Sequence, residues 1–222
     1  MTTLTTPPLS DVLKRLFAES DASEVLMRQH MSNLTPEERS TARRQTSTDY
    51  QTFYMTRAKN LYLAVSRETA VLLYMLARSA RARSIVEFGT SFGISTLHLA
   101  AALKDNGGGR VIGTEFEPSK VVRARENVAA AGLSDYVEIR AGDALETLAR
   151  DLPESIDLVL LDGAKSLYRP VLALLEPRLR PGALVVADNA DMAPEYIEAV
   201  RKSGQGYLSM PLLDDVELTM KS

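Results

Sequence analysis

The hydrophobic pattern of the chain changes near position 84. Before that point apolar residues recur at helical spacing and no run alternates like a strand. Val12, Leu13, Leu16 and Phe17 mark one face of a helix capped by Ser10 and running to about Ala18. A second helix is expected from Asp21 to Met31. Thr35-Pro36-Glu37-Glu38 reads as the N-cap and first turn of a third, mostly polar helix carrying Arg39, Arg43 and Arg44. A longer helix follows Ser66, with Val71, Leu72, Tyr74, Met75 and Leu76 facing inward.

Beyond Ser84 the pattern alternates. Ser84–Phe88, Arg110–Glu115, Tyr136–Arg140, Ile156–Leu161 and Ala183–Ala187 are short runs rich in Val, Ile and Leu, the composition of strands buried on both faces. Helical patterns over Ile94–Lys104, Ser119–Ala131, Asp143–Arg150 and Leu167–Leu179 fill the gaps. Such alternation predicts a parallel sheet covered by helices on both sides. Tyr207–Pro211 and Val216–Met220 are further strand candidates, expected to run antiparallel. The reading is an α/β domain preceded by a helical extension.

Composition narrows the chemistry. With 25% charged residues and a net charge of −3, nothing global argues for nucleic acid. The absence of cysteine excludes disulfides, thiolate catalysis and cysteine-ligated metals, and two histidines leave any metal ion to oxygen ligands. Met1 to Pro8 is polar, without a basic residue or a following apolar run, so it does not read as a signal peptide. No run is long enough to span a bilayer, and the cytoplasm is the default location.

The polar residues that interrupt the pattern fall at strand ends. Gly89 and Gly93 flank a tight turn after the first strand, where a side chain would keep a ligand from the backbone. Glu115 ends the second strand, where a carboxylate can accept from both hydroxyls of a ribose. Asp143 follows the third strand, placed to accept from an adenine amino group. A dinucleotide fingerprint needs a second glycine where Ser91 stands, which disfavours a nicotinamide or flavin cofactor. Asp162 ends the fourth strand with Lys165 three residues on, and Asp188-Asn189 end the fifth. Two carboxylates and an amide oxygen suit Mg²⁺ or another hard divalent ion and leave positions for substrate oxygens. Lys165 would add positive charge or accept a proton there. Each residue also has a plainer use: Asp162 as a helix cap, Asp188-Asn189 as an Asx-turn, Lys165 as a solvated loop lysine. His98 is expected to pack within its helix and His30 to lie on the surface. The arginines at 39, 43, 44 and 57 form a basic face or a set of solvated charges. Tyr50, Tyr54, Met55 and Tyr62 pack the core or, for Tyr54 and Met55 above all, roof an acceptor pocket.

From about Leu63 onward the motifs, in this order, resemble the class I S-adenosylmethionine-dependent methyltransferases. Within them the chain is similar to the metal-dependent O-methyltransferases related to the catechol and caffeoyl-coenzyme A enzymes. The resemblance implies a Rossmann-like domain over residues 63–222 after a helical extension over 1–62, with a seven-stranded sheet in order 3-2-1-4-5-7-6. It implies S-adenosylmethionine held by Val65, Ser66, Glu87, Gly89, Ser91, Gly93, Ser95, Glu115, Asp143 and Asp162. It further implies a divalent ion, Mg²⁺ by preference, on Asp162, Asp188 and Asn189, with Lys165 and Asp162 catalytic. The acceptor would be a small aromatic with adjacent oxygens, and a homodimer is plausible by the same likeness. Two rivals remain: a methyltransferase for hydroxylated uridine in tRNA, and a module that binds the cofactor without turnover. The chain departs from the family in the short connection after Asn189, which leaves no room for a substrate-covering insertion. It also lacks the usual glycine in its last hairpin turn, and the family's extra acid for a second catechol hydroxyl has no clear counterpart, Asp214 and Asp215 being the candidates.

Overall fold

The computed structural model describes residues 1–33, 35, 37, 50–52, 55–56, 58–202, 204, 206–213 and 215–222. The helix expected to start at Pro36, the basic residues at 39, 43, 44 and 57, and Tyr54 and Asp214 lie outside the described residues, as do the side chains of His30 and Tyr50.

Seven strands form one sheet: β1 (Ser84–Phe88), β2 (Arg110–Glu115), β3 (Val137–Ala141), β4 (Ile156–Leu161), β5 (Leu179–Ala187), β6 (Tyr207–Leu212) and β7 (Val216–Lys221). Their order is β3-β2-β1-β4-β5-β7-β6. The first five are parallel, and β7 runs antiparallel to both β5 and β6. Strand order reverses between β1 and β4, and in an open sheet the crevice beyond the carboxyl ends at such a point is where ligands bind.

Among the described residues, seven helices of four residues or more flank the sheet: α1 (Leu9–Ser32), α2 (Arg67–Ser79), α3 (Ile94–Asp105), α4 (Pro118–Ala130), α5 (Ala144–Thr147), α6 (Tyr168–Leu175) and α7 (Pro194–Arg201). The helices α1 to α4 close one apolar core, including Leu16, Leu73, Leu97 and Val128. The helices α5 to α7 close the other, around Leu148, Tyr168, Leu172 and Tyr196. Among the described residues no helix is long and apolar enough to cross a membrane.

Several expected boundaries move, each for a local reason. The two N-terminal helices are one, because no Gly or Pro interrupts residues 19–23 and their polar side chains serve other partners. Asp21 pairs with Arg67 at 2.6 Å, and Ser23 Oγ accepts from the Tyr62 amide at 3.1 Å. Leu9, Val12, Leu13 and Leu16 of α1 are buried in the same core as β1 and α3. In α2, capped by Ser66 Oγ on the Thr69 amide at 3.0 Å, the buried stripe is Thr69, Ala70, Leu73, Tyr74 and Ala77. Val71 and Met75, expected to face inward, are exposed. The helix α4 starts at Pro118 because Glu117 supplies the cap, accepting from the Lys120 amide at 2.9 Å. Asp143 caps α5 through the Leu145 amide at 2.8 Å, but the helix lasts one turn only. The helix α6 stops at Leu175, before a turn containing Pro177, and β5 begins at Leu179, earlier than expected, with an irregular register against β4. In the last hairpin Leu213 takes the left-handed conformation (φ 59°) that a glycine would normally fill.

Candidate active site

Between β1 and α3 the backbone turns through Gly89, Thr90, Ser91, Phe92 and Gly93, with φ of 101° at Gly89, 47° at Ser91 and 93° at Gly93. A Cβ on Gly89 would lie 2.4 Å from the Asp162 carbonyl oxygen and 2.8 Å from the Gly163 nitrogen. The neighbouring strand end therefore demands a glycine here, whatever approaches the turn from outside. At Gly93 a Cβ would meet Ala124 at an ordinary 3.8 Å, so the need there is the positive φ. The turn is fastened by Glu115, whose Oε2 accepts from the Ser91 amide at 2.7 Å while Oε1 accepts from the Glu117 amide at 2.9 Å. Burial raises the Glu115 carboxyl above its ordinary value.

Beneath the turn, Glu87 is fully buried and receives three hydroxyls. Ser95 Oγ donates to Oε1 at 2.7 Å, and Thr90 and Thr96 donate to Oε2, the former at 2.8 Å. Burial nevertheless pushes this carboxyl up to about 7, and the charge of Asp162 adds to the effect. Since the folded value lies above the ordinary 4.5, folding takes up a proton between the two. The contribution of this group to stability is therefore best below about pH 4 and declines as pH rises toward 7, above which its cost is complete. Glu87→Gln should flatten that slope. Urea midpoints measured from pH 5 to 8 would fall less in the variant than in the wild type, and parallel slopes would mean that this carboxyl does not titrate on folding.

Two clefts open at the carboxyl ends of the strands. The narrower is lined by Gly89, Ser91, Glu115, Asp143 and Asp162 together with Leu63, Phe116 and Gly163. The larger, about 780 Å³, is lined by Ser66, Asp162, Lys165, Asp188, Asn189 and Asp215 below, and by Ser20, Glu24 and Met27 of α1 beside Tyr62. Asp162 belongs to both. Val65 lies in the apolar core and lines neither, and Glu87 stays beneath the floor. Ser95 and Gly89 share a small recess with Tyr62, whose ring stacks on Phe92 at 4.1 Å. Asp143 Oδ2 accepts from Gln51 at 3.3 Å. His98 is buried with Nδ1 2.8 Å from the Ile94 carbonyl oxygen, in keeping with a packing role.

On the wall shared by the clefts, Lys165 Nζ lies 3.2 Å from Asp162 Oδ1 and 2.8 Å from the Tyr168 hydroxyl. Burial and the neighbouring Asp162 push the Asp188 carboxyl up to about 7, offset in part by Lys165, and burial likewise raises Asp162. Asn189 is held in the left-handed region (φ 48°), with Nδ2 donating to Asp215 Oδ2 at 2.7 Å. That bond leaves its amide oxygen as the end able to act as a ligand. Two crowded carboxylates and one amide oxygen are the donor set of a hard divalent cation, and the charge of such an ion would relieve their repulsion. Among the described residues no group of three or more His, Cys, Asp or Glu is gathered to hold a metal ion, so a cation here would depend on the two carboxylates and the amide oxygen.

Sequence reasoning missed two residues here. Lys120 is 1% exposed, lines the narrower cleft, and sits 5.2 Å from the Phe92 ring centre, its charge facing Glu115, Glu117 and Asp162. Burial lowers its ammonium below the usual value. Nothing in a helix-start lysine announces this; only the fold brings it under the glycine turn. Tyr168 is the other, and its spacing from Lys165 was the available signal.

Comparison with known proteins agrees with this geometry. A family described as a methyltransferase domain matches residues 86–190. A catechol O-methyltransferase of Niastella koreensis is 35% identical over 130 residues, covering 57% of this chain and 58% of that protein. A Mycolicibacterium smegmatis protein named as an O-methyltransferase is 32% identical over 153 residues, covering 64% of this chain and 71% of its own. Among solved structures, the Streptomyces achromogenes O-methyltransferase TomG, in complex with S-adenosylmethionine, superposes with a TM-score of 0.65 at 27% identity, over 85% of this chain and 100% of that one. The chain spans just under three fifths of the length of the first of these relatives. Sheet order and crevice define a Rossmann-like methyltransferase fold. The chain belongs to the class I S-adenosylmethionine-dependent O-methyltransferases.

Proposed function

We propose that this protein transfers the methyl group of S-adenosylmethionine to a hydroxyl of a small aromatic acceptor with adjacent oxygens, assisted by a divalent cation. The observation that carries the reading is the convergence of Asp162, Lys165, Asp188 and Asn189 on one wall, where a narrow cleft meets a wide one. The narrow cleft is the cofactor's place. There Gly89 and Ser91 offer backbone, Glu115 has acceptor capacity left for ribose hydroxyls, and Asp143 stands at the adenine end. S-adenosylmethionine supplies an electrophilic methyl on a positively charged sulfur.

Asp162, Asp188 and the amide oxygen of Asn189 would hold the cation, which supplies charge that favours an ionised acceptor oxygen. A phenol ionises near pH 10, so at neutral pH this help matters. Lys165 adds a second positive charge beside the same oxygen, and the acceptor proton leaves through the wide cleft to solvent. The acceptor oxygen then takes the methyl in line as the carbon–sulfur bond breaks, its electron pair stays on the sulfur, and neutral S-adenosylhomocysteine leaves. Alignment across the two clefts supplies much of the acceleration.

The test is calorimetric titration with S-adenosylmethionine, followed by methylation of catechol with Mg²⁺ and again with EDTA. Micromolar binding with chelator-sensitive turnover is expected. Absence of binding would overturn the reading, and turnover indifferent to EDTA would remove the cation from it. A second measurement addresses the ribose contact. Glu115→Ala should weaken cofactor binding by about 10- to 100-fold, the worth of one or two hydrogen bonds to a charged group. Unchanged affinity would take Glu115 out of the site.

A further inference from the structure

Tyr168 lines neither cleft, yet its hydroxyl joins the two halves of the proposed catalytic wall. Its side chain is 0% exposed. The ring is held edge-on between Phe88 (6.2 Å, 76°) and Tyr196 (5.9 Å, 88°), so the hydroxyl has little freedom. It donates to the Asp188 carbonyl oxygen at 2.7 Å, and Lys165 Nζ donates to it at 2.8 Å. A single 3-10 turn, Lys165–Leu167, separates the two residues and folds Nζ back to 5.1 Å from the Tyr168 ring centre.

The direction of these bonds follows from proton counting. A phenol carries one proton, and here the Asp188 carbonyl takes it. Toward Lys165 the hydroxyl can only accept. An ammonium has three N–H groups: one serves Tyr168, and one serves Asp162 Oδ1 at 3.2 Å. The third is left for the wide cleft that Lys165 lines. A lysine on a flexible four-carbon stem is a poorly aimed charge unless something fixes its end.

We infer that Tyr168 is a positioning residue. Its hydroxyl ties the Lys165 ammonium to the backbone of Asp188, so that the remaining N–H is aimed into the acceptor cleft at a fixed place beside the acid pair. The role rests on the methyl-transfer reading above, but the tether itself does not. A merely structural tyrosine would satisfy the Asp188 carbonyl and contribute to stability without acting through Lys165.

Tyr168→Phe keeps the ring packing and removes the tether. Per cofactor-binding site, kcat for catechol should fall about tenfold or more, while the Kd for S-adenosylmethionine and the KM for catechol stay within roughly threefold. In a Lys165→Met background the same change should cost nothing further, because a residue acting through another loses its effect with it. Acetic anhydride labelling, read by mass spectrometry, gives a measure independent of activity. Lys165 should label about threefold or more faster in Tyr168→Phe, relative to exposed Lys14 and Lys104. Wild-type kcat in Tyr168→Phe, unchanged labelling, or a full additional loss on top of Lys165→Met would each overturn the inference. If wild type transfers no methyl but labelling still accelerates in the variant, the tether stands and the methyl-transfer reading falls.

Discussion

Asp188→Asn should leave the protein more stable without divalent ion and nearly inactive with it. Asp188 is buried, and burial together with the charge of Asp162 raises its carboxyl to about 7. A folded value above the unfolded one means that ionising the group opposes folding. The cost begins as pH rises above about 4 and is complete above pH 7. Replacing it by a neutral isostere removes that cost, so the thermal midpoint at pH 8 should rise, and the gain should vanish toward pH 4. Activity moves the other way. A cation stabilising charge in the transition state is worth several kcal/mol, so kcat should drop by about 10²- to 10⁴-fold. Cofactor affinity should hardly change, because Asp188 lines only the wide cleft. Thermal melts in EDTA at pH 4 and 8, paired with turnover in Mg²⁺, test both halves. A variant that keeps full activity would remove Asp188 from the site. For this purpose Asp162 is the poorer choice, since it borders the cofactor cleft and its backbone packs against Gly89.

Gly89→Ala should have the largest effect on folding. The added Cβ would fall 2.4 Å from one backbone atom of Asp162 and 2.6 Å from another, where no side chain can move aside. A φ of 101° adds strain for any L residue. Overpacking costs about 1–3 kcal/mol and an incompatible backbone about one more, so a loss of roughly 3 kcal/mol is expected. For a chain of this length that is a fall of about 6–12 °C in Tm. Cofactor binding should suffer with it, because relief of the clash displaces the strand end that carries Asp162. Denaturant unfolding with a wild-type midpoint would show that the two strand ends are not locked together.

The sheet was legible because its strands bury both faces. Ser84–Phe88, Arg110–Glu115 and Ile156–Leu161 are runs rich in Val, Ile and Leu that stop at or beside a polar residue or a glycine, and all three occur with those boundaries. The helices were less legible because their ends depend on partners far along the chain. Asp21 reads as the start of a second helix, whereas one continuous α1 carries it beside Arg67, and Val71 looks like core until Leu73 is seen to face inward. The acids after β4 and β5 could be placed together because adjacent parallel strands end side by side. Lys120 could not, since nothing local distinguishes a lysine that the fold will bury under the glycine turn.

Tyr62 links the first helix to the glycine turn. Its amide and hydroxyl are held by Ser23 and Glu19 of α1, while its ring lies on Phe92 of the cofactor turn. The first helix also supplies Ser20, Glu24 and Met27 to the wide cleft. On the proposed reading, selectivity for the acceptor and grip on the cofactor would both depend on this one segment. A chimera that takes α1 from a relative with a different acceptor would import both at once. Retuning the pocket in isolation calls for changes at positions 20, 24 and 27, with 19 and 23 left alone.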